Sequence, residues 1–394
     1  MVALFIPEIP YLADRMFIDL ALFMHRYYDE FVALYFHPVT PSGDTIDDVS
    51  LRDEVNDTFD FVYELEDLKN RPKDTGYYKS WQKEFASVIK AHKPDVIFFV
   101  SGRSFTFRLC KSMANSIPRI VAQPATRFYA NAVSGGLRPW LRYFYYSKML
   151  GIPVSQTPGS MGFDDPQSRY LFWSAFWYPP KNVNDGNNCY SVGPLAFQHL
   201  KANGDEPKAN GRDLPKSILV LLGKRSKTPW GQYRQILELL KSTIQLFATT
   251  TFIFKVHPQE DPDFFYQYFD QEHNIDIKTG LSTQELIRSS SIVLSPWSTS
   301  VYEAMFLEKP VIILNPNRIF DLRKIIPSDY PYVISNLADA GKWVSHFISD
   351  EYLESETYVK TIQTSSSILI GDRNQNAYLT VIEHVKQITN TKNA

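Results

Sequence analysis

The chain has 394 residues, 44% of them apolar and 21% charged, and a formal charge of -2, so it exerts no overall pull on nucleic acid and any basic surface must be local. A single core stops growing at roughly 250–300 residues, so two domains are expected. Cys110 and Cys189 stand far apart with neither metal-ligand spacing nor a CxxC, which argues against a disulfide framework or a zinc site and suits a reducing cytosol.

The opening MVALFIPEIP is broken by Glu8 and two prolines too early for a secretory signal and reads as a first strand, residues 3–6. No run of about 18 apolar residues follows anywhere, so no membrane span is expected. A helix over about 13–25, a strand near 31–35, a helix near 80–91 and a strand at 95–100 come next. That strand ends in SGRSF, where Gly102 permits a tight turn and Arg103 can hold an anionic donor or acceptor group; a solvated basic turn is the other reading. After a strand at 119–122 the alternation is βαβ, which implies a parallel sheet with helices on both faces.

Between 138 and 181 the chain mixes Trp, Tyr and Phe with Arg138, Arg142, Lys148, Arg169 and Lys181. Core or acceptor-site wall is one reading; peripheral contact with a lipid headgroup surface is the other. Residues 195–214 are polar, rich in Gly and Pro, and aperiodic, so they read as a linker between domains 1–194 and 215–394, with the last helix able to pack back on the first domain. Paired domains of this kind are expected to face a central cleft.

SILVLLG, residues 217–223, opens the second series, and Lys224 and Arg225 follow in a basic loop. A helix over 232–247 leads to a strand at 252–256, with His257-Pro258 at its carboxyl end, where open α/β sheets bind ligands. A histidine there can hydrogen-bond a phosphate or sugar oxygen, although His-Pro is also a common structural dipeptide. After a strand near 275–277, residues 292–294 form another; Ser298, Thr299 and Ser300 then open a helix over about 299–308, and a strand follows at 311–314. Hydroxyls and free N–H groups at a helix start suffice to cradle phosphate; a plain N-cap is the bland alternative. Asp261-Pro262-Asp263 has metal-motif spacing but reads as a helix-entry loop, and neither a metal nor a cofactor is expected. Helices over 337–349, 351–362 and 374–388 complete the chain.

Three features resemble GT-B glycosyltransferases, which have two Rossmann-like domains: the paired α/β domains, the YSVGP hinge at 190–194, and YEAMFLEKPVI at 302–312. In retaining members a glutamate in the matching segment holds the ribose hydroxyls of the nucleotide, and Glu303 falls on that position. Those enzymes carry another glutamate eight positions earlier, where this chain has Ser295. The pairing of His257-Pro258 with Ser298-Thr299 is similar to that of bacterial sialyl-, polysialyl- and Kdo-transferases and teichoic-acid polymerases, several of which use CMP-sugars. The resemblance implies that these residues hold donor phosphate, and that a CMP-activated acidic sugar passes to a glycan or glycolipid acceptor in surface polysaccharide synthesis. Alternatives are a UDP-hexose transferase, a sugar-nucleotide epimerase, whose paired-glycine, acid-rich segment is missing here, and a non-catalytic glycan-binding scaffold. Besides His257, Asp14 is the expected catalytic group, placed in a loop after the first strand, and Asp164 lines an acceptor loop. The bland reading of Glu303 is a solvated first-turn residue that compensates the helix dipole.

Overall fold

A computed structural model describes residues 1–7, 12–37, 49–64, 75–100, 105–123, 148, 167–178, 188–198, 200, 216–223, 228–257, 260–279, 281–296 and 298–390. The chain divides into two compact units, Met1–His199 with Asn374–Ala394, and Leu200–Arg373.

The first unit runs β1 (Val2–Ile6), α1 (Leu12–Tyr27), β2 (Val32–His37), α2 (Val49–Thr58), β3 (Phe61–Glu64), α3 (Thr75–His92), β4 (Val96–Phe99), α4 (Phe105–Met113), β5 (Arg119–Ala122), β6 (Ser168–Phe172) and β7 (Cys189–Ser191). Its strands are ordered β3-β2-β1-β4-β5-β6-β7 and every neighbouring pair is parallel. β1, β4 and β5 are nearly continuous apolar runs because both faces of such a sheet are covered. Phe5 stacks on Phe98 at 4.7 Å and meets Phe17 of α1 edge-on, which fixes α1 over the sheet centre.

One reading of the sequence changes here, and one of two alternatives gains support. Leu195–Phe197, expected to begin the linker, form a buried 3-10 turn instead. Gly193 at φ 81 turns the chain inward, and the Phe197 ring meets that of Trp173 at 4.8 Å. Within 138–181, the described strand β6 is core: Tyr170, Leu171, Phe172 and Trp173 are buried. Arg169, one of the cations that suggested a lipid surface, donates to His384 Nδ1 at 2.9 Å and Gln387 at 2.7 Å and lies over the Tyr190 ring. Burial, with the Arg169 charge adding to it, pushes His384 down to about 4, so it is a neutral acceptor. His384 and Gln387 belong to the C-terminal helix, Ala377–Asn390, which buries Val381, Ile382, Val385 and Ile388 in this unit.

The second unit runs β8 (Ser217–Leu221), α5 (Trp230–Leu246), β9 (Thr251–Lys255), α6 (Pro262–Tyr268), β10 (Ile275–Lys278), α7 (Thr283–Ser289), β11 (Ile292–Ser295), α8 (Ser300–Phe306), β12 (Val311–Leu314), β13 (Val333–Ile334), α9 (Leu337–Ile348), α10 (Asp350–Leu353) and α11 (Glu356–Ile370). Its strand order is β10-β9-β8-β11-β12-β13, again with every neighbouring pair parallel. Both units therefore have the Rossmann order, with the first strand central and the fourth crossing to its other side. The helix expected over 351–362 is two helices, because Ser355 Oγ accepts from Tyr358 N at 3.2 Å and starts α11 afresh. Among the described residues no helix is long and apolar enough to cross a membrane.

Phe197→Ala tests whether residues 195–197 are core. Loss of a buried ring should cost about 3–5 kcal/mol in urea unfolding, whereas a linker residue would change stability by less than about 0.5 kcal/mol.

Candidate functional site

Because β8, β9 and β11 are parallel, their carboxyl ends share one edge of the second unit's sheet. The chain winds outward from β8 to β9 and β10, then crosses back to β11, so the switch point lies between β8 and β11. Ser295, at the end of β11, is fully buried and its hydroxyl donates to Leu221 O of β8 at 2.7 Å. Ser295 is thus a small staple between neighbouring strands.

His257 lies just beyond β9, half-buried, and its carbonyl accepts from Glu260 N at 2.8 Å. Asp261 caps α6 by accepting from Asp263 N at 3.0 Å, and Pro262 takes the first helical position. The Asp-Pro-Asp sequence therefore enters a helix.

On the other side of β8, Ser298 Oγ accepts from Ser300 N at 3.3 Å, while Thr299 has αR geometry and no capping bond from its side chain. The helix α8 is shorter than expected, since Glu308 takes φ 58 and Lys309 N returns to Ala304 O at 2.9 Å ahead of Pro310. Its residues from Val301 to Phe306 are all buried, with α11 packed against it and Ser366 Oγ donating to Met305 O.

Glu303 sits in this wrapped helix and is 6% exposed. It is not the solvated dipole-compensating residue that its place in the first turn suggests. Burial pushes its carboxyl from 4.5 up to about 7, partly offset by a hydrogen bond from the Ser300 side chain. An ionised carboxylate has room for about four donors, so the one hydroxyl found on it among the described residues leaves most of its capacity unused.

In the first unit, Asp14 lies in the first turn of α1, not in a loop, and is 0% exposed. The Tyr35 hydroxyl of β2 donates to its Oδ1 at 2.6 Å, and burial, with the Asp14 charge, holds that phenol well above its usual range. The sequence hid this pairing, because Tyr35 sits in an apolar strand where an aromatic ring needs no other explanation. Pro258, Lys224, Arg225, Arg103 and Asp164 lie outside the described residues.

No family model matches the sequence and no curated protein matches it. By structure, the chain is similar to the UDP-GlcNAc 2-epimerase of Neisseria meningitidis solved with UDP-GlcNAc, at TM-score 0.62 and 15% identity over 98% of this chain and 100% of that one. It is also similar to a glycosyltransferase from Rickettsia africae, at TM-score 0.59 and 14% identity over 98% of both chains. A third is UGT73P12 of Glycyrrhiza uralensis, complexed with glycyrrhetinic acid 3-O-monoglucuronide, at TM-score 0.57 and 15% identity over 100% and 97%. These likenesses give the fold: two Rossmann-like α/β domains of the GT-B kind.

The raised carboxyl of Glu303 links stability to pH. The folded state holds this proton more tightly than the unfolded chain, so the group's contribution is complete below about pH 4.5 and is lost as pH rises through about 7. Glu303→Gln should therefore stabilise the ligand-free protein at pH 8 by about 3 kcal/mol, a gain that shrinks toward pH 5. Urea unfolding at both pH values checks this, and a pH-independent difference would mean the carboxyl is solvated.

Proposed function

We propose that the chain is an enzyme acting on nucleotide-activated sugars, with its donor site at the carboxyl edge of the second unit's sheet. The observation that carries this reading is Glu303, a carboxylate kept nearly out of water with acceptor capacity left over. A pair of ribose hydroxyls supplies two donors to such a group and offsets the cost of its burial. His257 and Ser298-Thr299-Ser300 follow strands on either side of β8, as polar contacts for a departing phosphate. Transfer to a glycan or glycolipid acceptor then needs a base. The burial of Asp14 and its bond from Tyr35 favour a structural role in tying α1 to β2, so we place His257 ahead of it as the proton-handling group.

The reading of a CMP-activated acidic sugar rests on the pairing of His257 with Ser298-Thr299. The similar structures instead favour a uridine nucleotide, since one was solved with UDP-GlcNAc and another with UDP. Sugar-nucleotide epimerisation is the second reading, since the Neisseria epimerase matches this chain at TM-score 0.62 over a coverage as complete as that of the two transferases. Product analysis with UDP-GlcNAc separates the two, because a transferase consumes the donor in an acceptor-dependent way and an epimerase returns a 2-epimer without acceptor.

Thermal-shift screening with CMP, CDP, UDP and GDP should raise the melting temperature with at least one of them. No shift with any would sink the reading. With the nucleotide that binds, His257→Ala and the double change Ser298→Ala, Thr299→Ala should each weaken affinity by roughly 1.5–3 kcal/mol. Ribose hydroxyls donating to Glu303 favour its ionised form, so binding near pH 6 should release a proton and tighten as pH rises to about 7. Calorimetry in two buffers of different ionisation enthalpy reads that proton directly, and Glu303→Gln should abolish the release while losing affinity.

A further inference from the structure

We propose that Arg169 and His384 form an oxyanion-binding site on the first unit, between β6 and the C-terminal helix, which takes the phosphate or carboxylate group of a small molecule. The site lies away from the carboxyl edges of the sheets and does not depend on the nucleotide-sugar reading above.

Arg169 is the second residue of β6, in register with Ile120 of β5, so it stands in the amino-terminal half of the parallel sheet. A guanidinium carries five N–H donors and stays charged at any physiological pH. The two on Nη1 go to His384 Nδ1 at 2.9 Å and Gln387 Oε1 at 2.7 Å, and both acceptors are neutral. Nε and Nη2 meet no acceptor among the described residues. Arg15, Arg52, Arg234, Arg323 and Arg373 each hold a carboxylate, whereas Arg169 has none among the described residues. It is half-buried while Gln387 is exposed, so the charge is partly withdrawn from water and still reachable from the Gln387 side.

The same contact fixes the imidazole. Nδ1 accepts from a group that can only donate, so the single proton of neutral His384 is on Nε2, which becomes a further donor with no acceptor among the described residues. The Tyr190 ring lies beside both groups, with its centre 5.2 Å from the guanidinium carbon and 4.5 Å from the centre of the imidazole. His384 and Gln387 are three residues apart on one face of a helix that is anchored by Val381, Val385 and Ile388. The cluster therefore holds a fixed positive charge with donors to spare and no carboxylate. Such a set selects an anion: the guanidinium fork matches two oxygens of a carboxylate or phosphate, and the imidazole N–H serves a third contact. A bound oxyanion would tie β6 to a helix two hundred residues later, which makes the docking of residues 374–394 responsive to a ligand.

The imidazole nitrogen resonances of His384 read the site directly. Inorganic phosphate, added to wild type at constant ionic strength, should move Nε2 saturably. It should also raise the midpoint of the His384 titration from about 4 to at least about 5, because the anion offsets the Arg169 charge. Gln387→Glu, at an exposed helix position, gives Arg169 a built-in carboxylate. This variant should melt higher than wild type without ligand and bind phosphate at least about tenfold more weakly. Phosphate held elsewhere in the molecule would raise the melting temperature of both proteins alike and leave His384 unmoved, which would overturn the site. Acetate at equal ionic strength separates the two ligand sources: a larger response than to phosphate assigns a carboxylate, a smaller one a phosphate. The site is also overturned if neither anion moves His384, or if Gln387→Glu responds to both as wild type does.

Discussion

Parallel strand pairing governs where chemistry can occur in this protein. A strand in the middle of either sheet has both edges hydrogen-bonded, so its side chains are mostly apolar and its peptide groups are largely committed to the ladder. Polar function is driven to the carboxyl ends, where the chain leaves the sheet and helix starts bring unpaired N–H groups. Both units obey the same rule with the same strand order, and of the candidate residues that can be placed, His257, Ser298, Thr299, Ser300 and Glu303 follow strands of the second sheet while Asp14 follows β1 of the first.

Several buried polar groups of the second unit are paired within it. Tyr302 donates to Ile325 O at 2.6 Å, Tyr330 to Val311 O at 2.7 Å, and Lys309 to Arg288 O and Ser290 O at 2.8 Å each. Asn315 closes its own loop by bonding both the N–H and the carbonyl of Phe320. Among them stands Glu303, a buried carboxylate on which the Ser300 hydroxyl is the one hydrogen bond found among the described residues. Other buried polar atoms, among them His346 Nδ1 and Tyr358 Oη, also lack a hydrogen-bond partner among the described residues, so it is the combination of burial, acidity and a place in the helix after β11 that sets Glu303 apart.

Long β-branched runs and amphipathic helices were legible from composition and period alone. β8, β9, β11 and β12 and the helices α1, α5 and α9 lie within a few residues of their expected places. The strands β3, β6 and β7 were not legible, because three to five residues of mixed polarity carry no period, and β6 is separated from its partner β5 by more than forty residues. The linker reading failed at Leu195–Phe197 because a short apolar run was averaged with the polar stretch after it. The environment of Glu303 was hidden for a different reason: the helix that covers α8 lies some fifty residues later, so nothing local marks the carboxylate as buried. Asp14 was given to a loop although the helix expected over about 13–25 already reached it; the helix begins at Leu12 and puts Asp14 in its first turn.

The first unit is discontinuous in sequence, with its final helix supplied by residues 374–394. During translation α1 emerges early, and the ring of Phe23 has no Tyr378 to meet, nor Tyr27 its Lys386, until the far end of the chain is made. At about 5–20 residues per second the intervening unit occupies the ribosome for on the order of ten to thirty seconds. Through that interval Arg169 and Tyr190 lack the imidazole of His384, and the nascent first unit carries an uncovered aromatic flank. Leu200–Arg373, contiguous in sequence, can complete its own fold before the first unit receives its last helix. The domain begun first is thus the one completed last, and its exposed flank is the surface on which a chaperone acting during synthesis would bind.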